Sequence, residues 1–206
     1  MDGQPDSPSF GDTKSRGGAK AATGGAHDAA SKDAGSEAKS GPDWPTCGDF
    51  DMKIARDGTW SYRGSPIGRK RLVKLFSTVL RREADGEYWL VTPVERGRIE
   101  VEDVPFIAEE LRESGAGAEM VLAFRTNLDD WVEADTAHPL RVLHDADSGE
   151  PAPYILVRDG LEARLARAVF YHLVELAVPQ RDEEGRERLG VWSKGSFFPL
   201  DPPSGS

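Results

Sequence analysis

The feature that most constrains this chain is a short motif that occurs twice. Residues 54–58 (IARDG) return as residues 156–160 (LVRDG), so that Arg56 and Arg158 stand 102 residues apart. A second marker, Trp89 in GEYW, has a counterpart in Trp192 at an offset of 103 residues. Two markers that recur at nearly one spacing predict a duplicated structural unit. Duplication restricts the architecture strongly and the chemistry hardly at all, because function depends on individual sites.

The first copy has the pattern of a ββαββ unit, and therefore of an α+β fold. Asp57-Gly58 readily takes the positive φ angles of a tight hairpin turn. Ser65-Pro66 provides a helix cap and a first-turn proline, and the apolar residues that follow recur at helical spacing from Leu72 to Leu80. We expect strands at residues 51–56, 59–63, 87–92 and 98–101, with the helix between the second and the third.

The second copy repeats this order inside a strand-rich domain, with its turn at Asp159-Gly160 and a helix that Pro179 stops. The expected strands of this half are residues 120–124, 131–134, 140–143, 154–158, 161–165, 188–192 and 196–200, and the expected helix is about 168–178. Many strands with one late helix are typical of an α+β domain or of a small capped barrel. The chain then divides into a tail (1–42), an N-terminal ββαββ domain (43–103) and a C-terminal domain (104–206).

Composition indicates a disordered tail and restricts the classes of partner. Residues 1–42 contain no Leu, Ile, Val, Trp or Tyr, so they cannot bury enough apolar surface to offset the entropy of ordering. The single cysteine, Cys47, excludes an intramolecular disulfide and favours a reducing, cytoplasmic setting. A formal net charge of −10 disfavours nucleic acid polymers and anionic membranes as partners. No run of apolar residues reaches the length of a membrane span.

Five strings of residues, in order along the chain, carry a family resemblance. They are RDGTW (56–60), GSPI (64–67), LVTPVE (90–95), VEDVPF (101–106) and GVWS (190–193). Together they resemble the domain of unknown function 1285 family over about residues 47–200. The resemblance implies a duplicated two-domain α+β structure whose C-terminal half is superficially similar to a pleckstrin-homology fold. It also implies a functional groove between the domains, with a nucleotide-like ligand and a role in signalling, and it brings no enzymatic activity.

Ten residues are candidates for an anionic, nucleotide-like ligand in such a groove. Arginines provide forked donors for phosphate or carboxylate, polar side chains could hydrogen-bond the edges of a base, and an aromatic ring could stack on it. The candidates are Arg56, Arg69, Thr92, Glu95, Phe106, Asn127, Asp130, His138, Arg158 and Tyr171. The competing role of the arginines is ion pairing with the chain's 36 acidic residues.

Two other functions stay open at this point. An enzyme could use Glu95, Asp130 and His138 for acid–base work, which requires perturbed pKa values, although a histidine in a polar loop can serve only as a hydrogen-bond partner. A protein-interaction scaffold could instead use exposed sheet edges, with no particular protein partner indicated. The sequence has neither the spacing of a calcium loop nor a glycine-rich phosphate loop, so we expect no metal and no cofactor.

Overall fold

The computed structural model of the chain describes residues 46–145, 148–182 and 184–201. These residues form a two-domain, strand-rich α+β fold with two α-helices, in agreement with the expected fold class. The expected tail, residues 1–42, lies outside the described residues. Within the described ranges, no helix is long and apolar enough to cross a bilayer.

The N-terminal domain is a six-stranded sheet with one helix. In chain order its elements are β1 (Thr46–Ile54), β2 (Trp60–Tyr62), β3 (Ser65–Pro66), α1 (Lys70–Thr78), β4 (Leu80–Arg82), β5 (Tyr88–Val91) and β6 (Arg96–Val101). The spatial order is β3-β2-β1-β6-β5-β4. Neighbouring strands are antiparallel except for β1 and β6, which run parallel at the centre of the sheet. The first and the last strand of the domain are therefore neighbours.

The C-terminal domain begins with a second six-stranded sheet of related design. Its strands are β7 (Phe106–Ser114), β8 (Val121–Thr126), β9 (Trp131–Glu133), β10 (Leu140–His144), β11 (Pro151–Arg158) and β12 (Leu161–Leu165). They lie in the order β10-β11-β12-β7-β8-β9, and only the central pair β12 and β7 is parallel. After helix α2 (Arg167–Glu175), strands β13 (Val178–Arg181), β14 (Glu187–Ser193) and β15 (Ser196–Pro199) form a separate three-stranded meander.

The expected helix start at Ser65-Pro66 is wrong, because these two residues form β3. Arg63 has a φ of 50°, and it turns the chain back so that Ser65 pairs with Tyr62 and Pro66 with Ser61. β3 is an edge strand, where a proline's missing N–H removes no ladder hydrogen bond. The N-terminal domain thus has three strands on each side of its helix, where the sequence pattern predicts two.

Both helices are shorter than their patterns predict, and strands take over at their ends. α1 buries Val73 and Ser77, whereas Leu75, an expected core residue, is 62% exposed. Leu80 is fully buried, but it belongs to β4. α2 ends at Glu175, and Pro179 lies in β13, an outer strand, in place of terminating the helix.

The two Asp-Gly pairs lie in hairpin turns of different construction. Asp57-Gly58 joins β1 and β2 in a turn closed by hydrogen bonds between Ala55 and both Gly58 and Thr59. Asp159-Gly160 forms a two-residue turn between β11 and β12 with positive φ at both positions, as in a type I′ turn. The surrounding sheets also differ, since β1 pairs with β6 of its own unit but β12 pairs with β7.

A single hydrophobic core extends through both domains. Ile54, Trp60 and Leu80 from the first sheet belong to the same buried cluster as Phe106 and Leu161 from the second. The third sheet is attached by the buried Ser193, whose Oγ donates to the carbonyl of Ala134 at 2.7 Å and accepts the N–H of Leu122 at 3.0 Å.

Candidate functional site

The ten candidate residues do not share one site: seven line three separate cavities, and three line none of these cavities. Arg56 and Tyr171 line a cavity of about 730 Å³ between the two domains, which we call the interdomain cavity. Asp130, His138 and Arg158 line a second cavity of about 630 Å³. Thr92 and Glu95 line a third, of about 340 Å³.

The interdomain cavity brings together arginines from different parts of the fold. Arg56 comes from the turn after β1, Arg164 from β12 and Arg167 from the first position of α2. The aromatic residues Phe170 and Tyr171 project from the same helix. The rest of the lining is apolar, apart from the carboxylates of Asp57 and Glu150. The apolar lining residues are Ile107, Pro151, Pro153, Leu165 and Ala166.

Asp103, at the junction of the domains, holds two of these arginines. Its Oδ2 accepts a hydrogen bond from Arg164 Nη1 at 2.8 Å and lies 3.6 Å from Arg56 Nε. Its Oδ1 accepts the hydroxyl of Tyr154 at 3.0 Å, and burial is the main reason why the pKa of Tyr154 is raised. Arg56 nevertheless keeps 70% of its side chain exposed, against 24% for Arg164. The carboxylate therefore positions the two guanidiniums while leaving donors free on Arg56.

Of the three arginines in the interdomain cavity, Arg167 is the one without a carboxylate partner in the described part of the chain. Its Nε donates to the hydroxyl of Tyr171 at 2.9 Å, and it forms no ion pair with a carboxylate of the described residues. The cap position before it, Ala166, has no side chain that could bond to the helix N–H groups. Because the positive end of the helix dipole adds to the arginine's charge, this end of the cavity favours a negatively charged group.

The second cavity contains charges that are already neutralised by their neighbours. Arg158 Nη1 lies 3.8 Å from Asp130, and its Nη2 donates to the carbonyl of Ser77 at 3.0 Å. His138 Nδ1 lies 3.2 Å from Asp135 Oδ1. Burial raises the pKa of Asp135, but hydrogen bonds from the backbone and side chain of His138 outweigh it and hold that pKa below its usual range. This cavity offers few uncommitted donors to an anion.

The third cavity separates Glu95 from the other members of the acid–base set. Thr92 Oγ1 donates to the carbonyl of Glu95 at 2.9 Å and accepts its N–H at 3.1 Å, so that both residues belong to one turn of the N-terminal domain. Asp130 and His138 line the second cavity instead. The arrangement does not assemble the three groups that an acid–base enzyme would need.

Three candidates lie outside these cavities. Phe106 is fully buried, with the Arg158 guanidinium 5.0 Å from its ring centre, so the expectation that it stacks on a base is wrong. Asn127 Oδ1 accepts the N–H of Ile107 at 3.2 Å, and its Nδ2 lies 3.5 Å from the carbonyl of Gly58, which joins the N-terminal hairpin to β7. Arg69 is the exposed cap residue of α1.

Sequence reasoning missed Arg164, Arg167 and Phe170. Arg164 stands between buried Ala163 and Leu165 on β12, so strand alternation alone indicates that its side chain points away from the core. Arg167 and Tyr171 are four residues apart at the predicted helix start, a spacing that places both on one face. No group of three or more His, Cys, Asp or Glu in the described ranges is placed to hold a metal ion.

Comparison with known proteins gives consistent matches to one family. Residues 42–104 match "Domain of unknown function (DUF1285), N-terminal domain", and residues 105–200 match "Protein of unknown function (DUF1285), C-terminal domain". The crystal structure of a DUF1285 family protein from Silicibacter pomeroyi DSS-3 is similar, with 46% identity and a TM-score of 0.69 over 76% of this chain and 82% of that one.

A second similar structure is that of a DUF1285 family protein from Shewanella baltica OS155. It has 27% identity and a TM-score of 0.47, over 60% of this chain and 90% of that one. No curated protein matches the chain.

Proposed function

Since the chain belongs to the DUF1285 family and matches both of its domains, we propose that it is a ligand-binding regulatory protein. The ligand is a small anionic, nucleotide-like molecule, and its site is the interdomain cavity. A cytoplasmic setting is part of this proposal.

One observation carries the proposal: Arg56, Arg164 and Arg167 meet two aromatic rings in a cavity of about 730 Å³. That size is within the range of small-molecule sites. Guanidinium groups bind phosphate and carboxylate through paired N–H donors, and aromatic side chains such as Phe170 and Tyr171 can pack against a planar base. A nucleotide combines both features in one molecule.

The placement of the arginines supports a regulatory role. Arg56 belongs to the N-terminal domain and Arg167 to the C-terminal domain, so one ligand could contact both and change how firmly they are held together.

The carboxylate of Asp57 accepts the backbone N–H of Thr59, and this hydrogen bond lowers the pKa of Asp57. A group kept ionised in this way is a poor general acid, which favours binding over acid–base catalysis.

The experiment is a thermal-shift screen with nucleotides and other phosphorylated metabolites. A ligand at a hundred times its dissociation constant should stabilise the fold by about 2.7 kcal/mol. We expect Arg167→Gln to lose most of that shift and added salt to weaken it. Arg181→Gln is the matched control, because Arg181 is an exposed arginine of β13 without an ion pair among the described residues.

Two results would contradict the proposed site in the interdomain cavity. The first is a broad panel in which no compound stabilises the protein. The second is a ligand whose effect survives Arg167→Gln and disappears in Arg158→Gln, since Arg158 lines the second cavity. In that case the anion site belongs to the second cavity.

The duplication of a ββαββ unit is also a proposal. Its support is that both Asp-Gly pairs occupy hairpin turns that precede a nine-residue helix. The superficial pleckstrin-homology character of the second half is supported by α2, which directly follows the last strand of a six-stranded sheet.

A further inference from the structure

We propose that the outer face of α1 and the adjoining strand β4 form a docking surface for an acidic, amphipathic segment of a partner protein. The surface consists of Arg71 and Leu75 on the outer face of α1, Arg69 just before the helix, and Arg81 of β4, whose guanidinium reaches the carbonyl of Thr78 at the end of α1. We call it the arginine patch. It shares no residue with the interdomain cavity.

The arginines of the patch are free of carboxylates within the described part of the chain. Arg81 Nη1 donates only to the carbonyls of Thr78 and Leu80, at 3.1 and 2.7 Å. The chain has 36 acidic against 26 basic side chains, so arginines without an acidic partner among the described residues are contrary to its composition.

The faces of α1 differ in their contacts. Val73 and Ser77 face the core. Lys70 and Lys74 bind the β8–β9 turn through Asp129 at 2.7 Å and Asp130 at 3.3 Å.

Arg71, Leu75 and Thr78 are exposed, and their i, i+4, i+7 spacing places them on one face of the helix. Leu75, near the middle of that face, has 62% of its surface exposed. An apolar side chain between cations is the pattern that an acidic amphipathic segment complements.

Local physics opposes this placement of the cations. Lys70 and Arg71 stand in the first turn of α1, which has no acidic residue and no side-chain cap. Positive charges at a helix N-terminus are disfavoured by the helix dipole. The outward-facing arginine gives no compensating contact inside the protein, and such departures from local preference are characteristic of functional surfaces.

The size and surroundings of the patch favour a protein segment over a bilayer or a nucleic acid. A helix of nine residues is only about 13 Å long, and the rest of a molecule with net charge −10 repels an extended polyanion. A short protein segment is small enough to contact the patch without approaching the acidic remainder of the molecule. It can also place an apolar side chain on Leu75, whereas a phosphate backbone has no apolar side chain.

The test uses a fluorescein-labelled amphipathic peptide in which glutamates flank leucine on one helical face, and a counterpart with glutamine in place of glutamate. Anisotropy should show binding of the glutamate peptide and much weaker binding of the glutamine peptide. The double variant Arg71→Glu, Arg81→Glu should bind at least about tenfold more weakly, a loss of about 1.4 kcal/mol. Leu75→Ser should also weaken binding.

Arg181→Glu reverses the charge of an exposed arginine on β13 that has no ion pair among the described residues. It changes the net charge by the same amount as the single variant Arg71→Glu and is the control for that variant. Thermal melting separates lost binding from lost folding, because Arg71→Glu places an acid in the first turn and should leave the melting temperature unchanged or higher.

The proposal fails if the wild type does not bind the glutamate peptide, or if Arg181→Glu weakens binding as much as the single variant Arg71→Glu does. It also fails if vesicles of mixed phosphatidylglycerol and phosphatidylcholine bind through the patch while the peptide does not, since the surface would then recognise lipid.

Discussion

The two Asp-Gly turns allow the contact between the domains to be measured by a matched pair of substitutions. Gly58 and Gly160 have φ angles of +81° and +74°, so alanine at either position is held in the left-handed region at a cost of about 1–2 kcal/mol. A Cβ at Gly58 would lie 2.7 Å from Asn127 Nδ2 and 2.9 Å from Ile107 Cγ1. A Cβ at Gly160 would meet no atom within 4 Å.

Gly58→Ala should therefore destabilise the protein more than Gly160→Ala does. Both Asn127, whose Oδ1 accepts the N–H of Ile107, and Ile107 itself have to move to relieve the clash. Overpacking of this kind typically adds about 1–3 kcal/mol. The free energy of unfolding, from urea titrations followed by tryptophan fluorescence, should show that difference.

A double variant locates the effect. Asn127→Ala removes the nearest atom, so Gly58→Ala should cost less in that background than in the wild type, while the cost of Gly160→Ala stays the same. Equal costs for the two glycine substitutions in the wild type would refute the reasoning, because the hairpin turn would then not be packed against β7.

Two further predictions concern the connections around the C-terminal domain. Ser193→Ala should cost about 1–3 kcal/mol in urea unfolding, because it leaves the buried N–H of Leu122 and the carbonyl of Ala134 without their shared partner; an unchanged midpoint would contradict this. The hydrogen bond from Lys70 lowers the pKa of Asp129 from its ordinary 3.8. The stabilisation of the folded state by this pair is therefore complete above that value and is lost as the pH falls through the lowered pKa. Between about pH 5 and about pH 3 the wild type should lose more stability than Asp129→Asn does. Asparagine is tolerated in the left-handed backbone conformation at this position. Parallel pH profiles of the two proteins would contradict a stabilising ion pair.

The sequence predicts local pairing well, because a hairpin depends on its own turn. Leu161–Leu165 is a strand with the expected bounds, and both Asp-Gly pairs are hairpin turns. The pattern does not predict β7, since Phe106–Ser114 includes AEELR, a run with high helix propensity. Its strand conformation depends on pairing with the next strand, β8, and with β12, which lies far away in sequence.

The candidate site was only partly predictable for a related reason. Arg56 and Tyr171 line one cavity, but Arg158, which has the same place as Arg56 in the recurring sequence motif, lines another. Residues at matching places in a recurring motif meet only if the sheets that carry them are arranged symmetrically. The parallel pairing of β12 with β7 draws the second turn into the C-terminal sheet, and no local pattern contains that information.

The parallel pairs at the centre of the two large sheets determine the order in which the protein can be completed during synthesis. β1 pairs with β6, and β7 pairs with β12. Neither sheet can therefore become continuous until its last strand has been synthesised. Until residues 96–101 leave the ribosome, the N-terminal domain has only a three-stranded part (β3-β2-β1) and a separate two-stranded part (β5-β4), with β1 and β5 as open edges. Pairings of such long sequence separation form slowly, and the waiting edges are exposed to association with other chains. A nascent chain that pauses just before β6 or just before β12 is therefore the form of this protein with the greatest need of a chaperone.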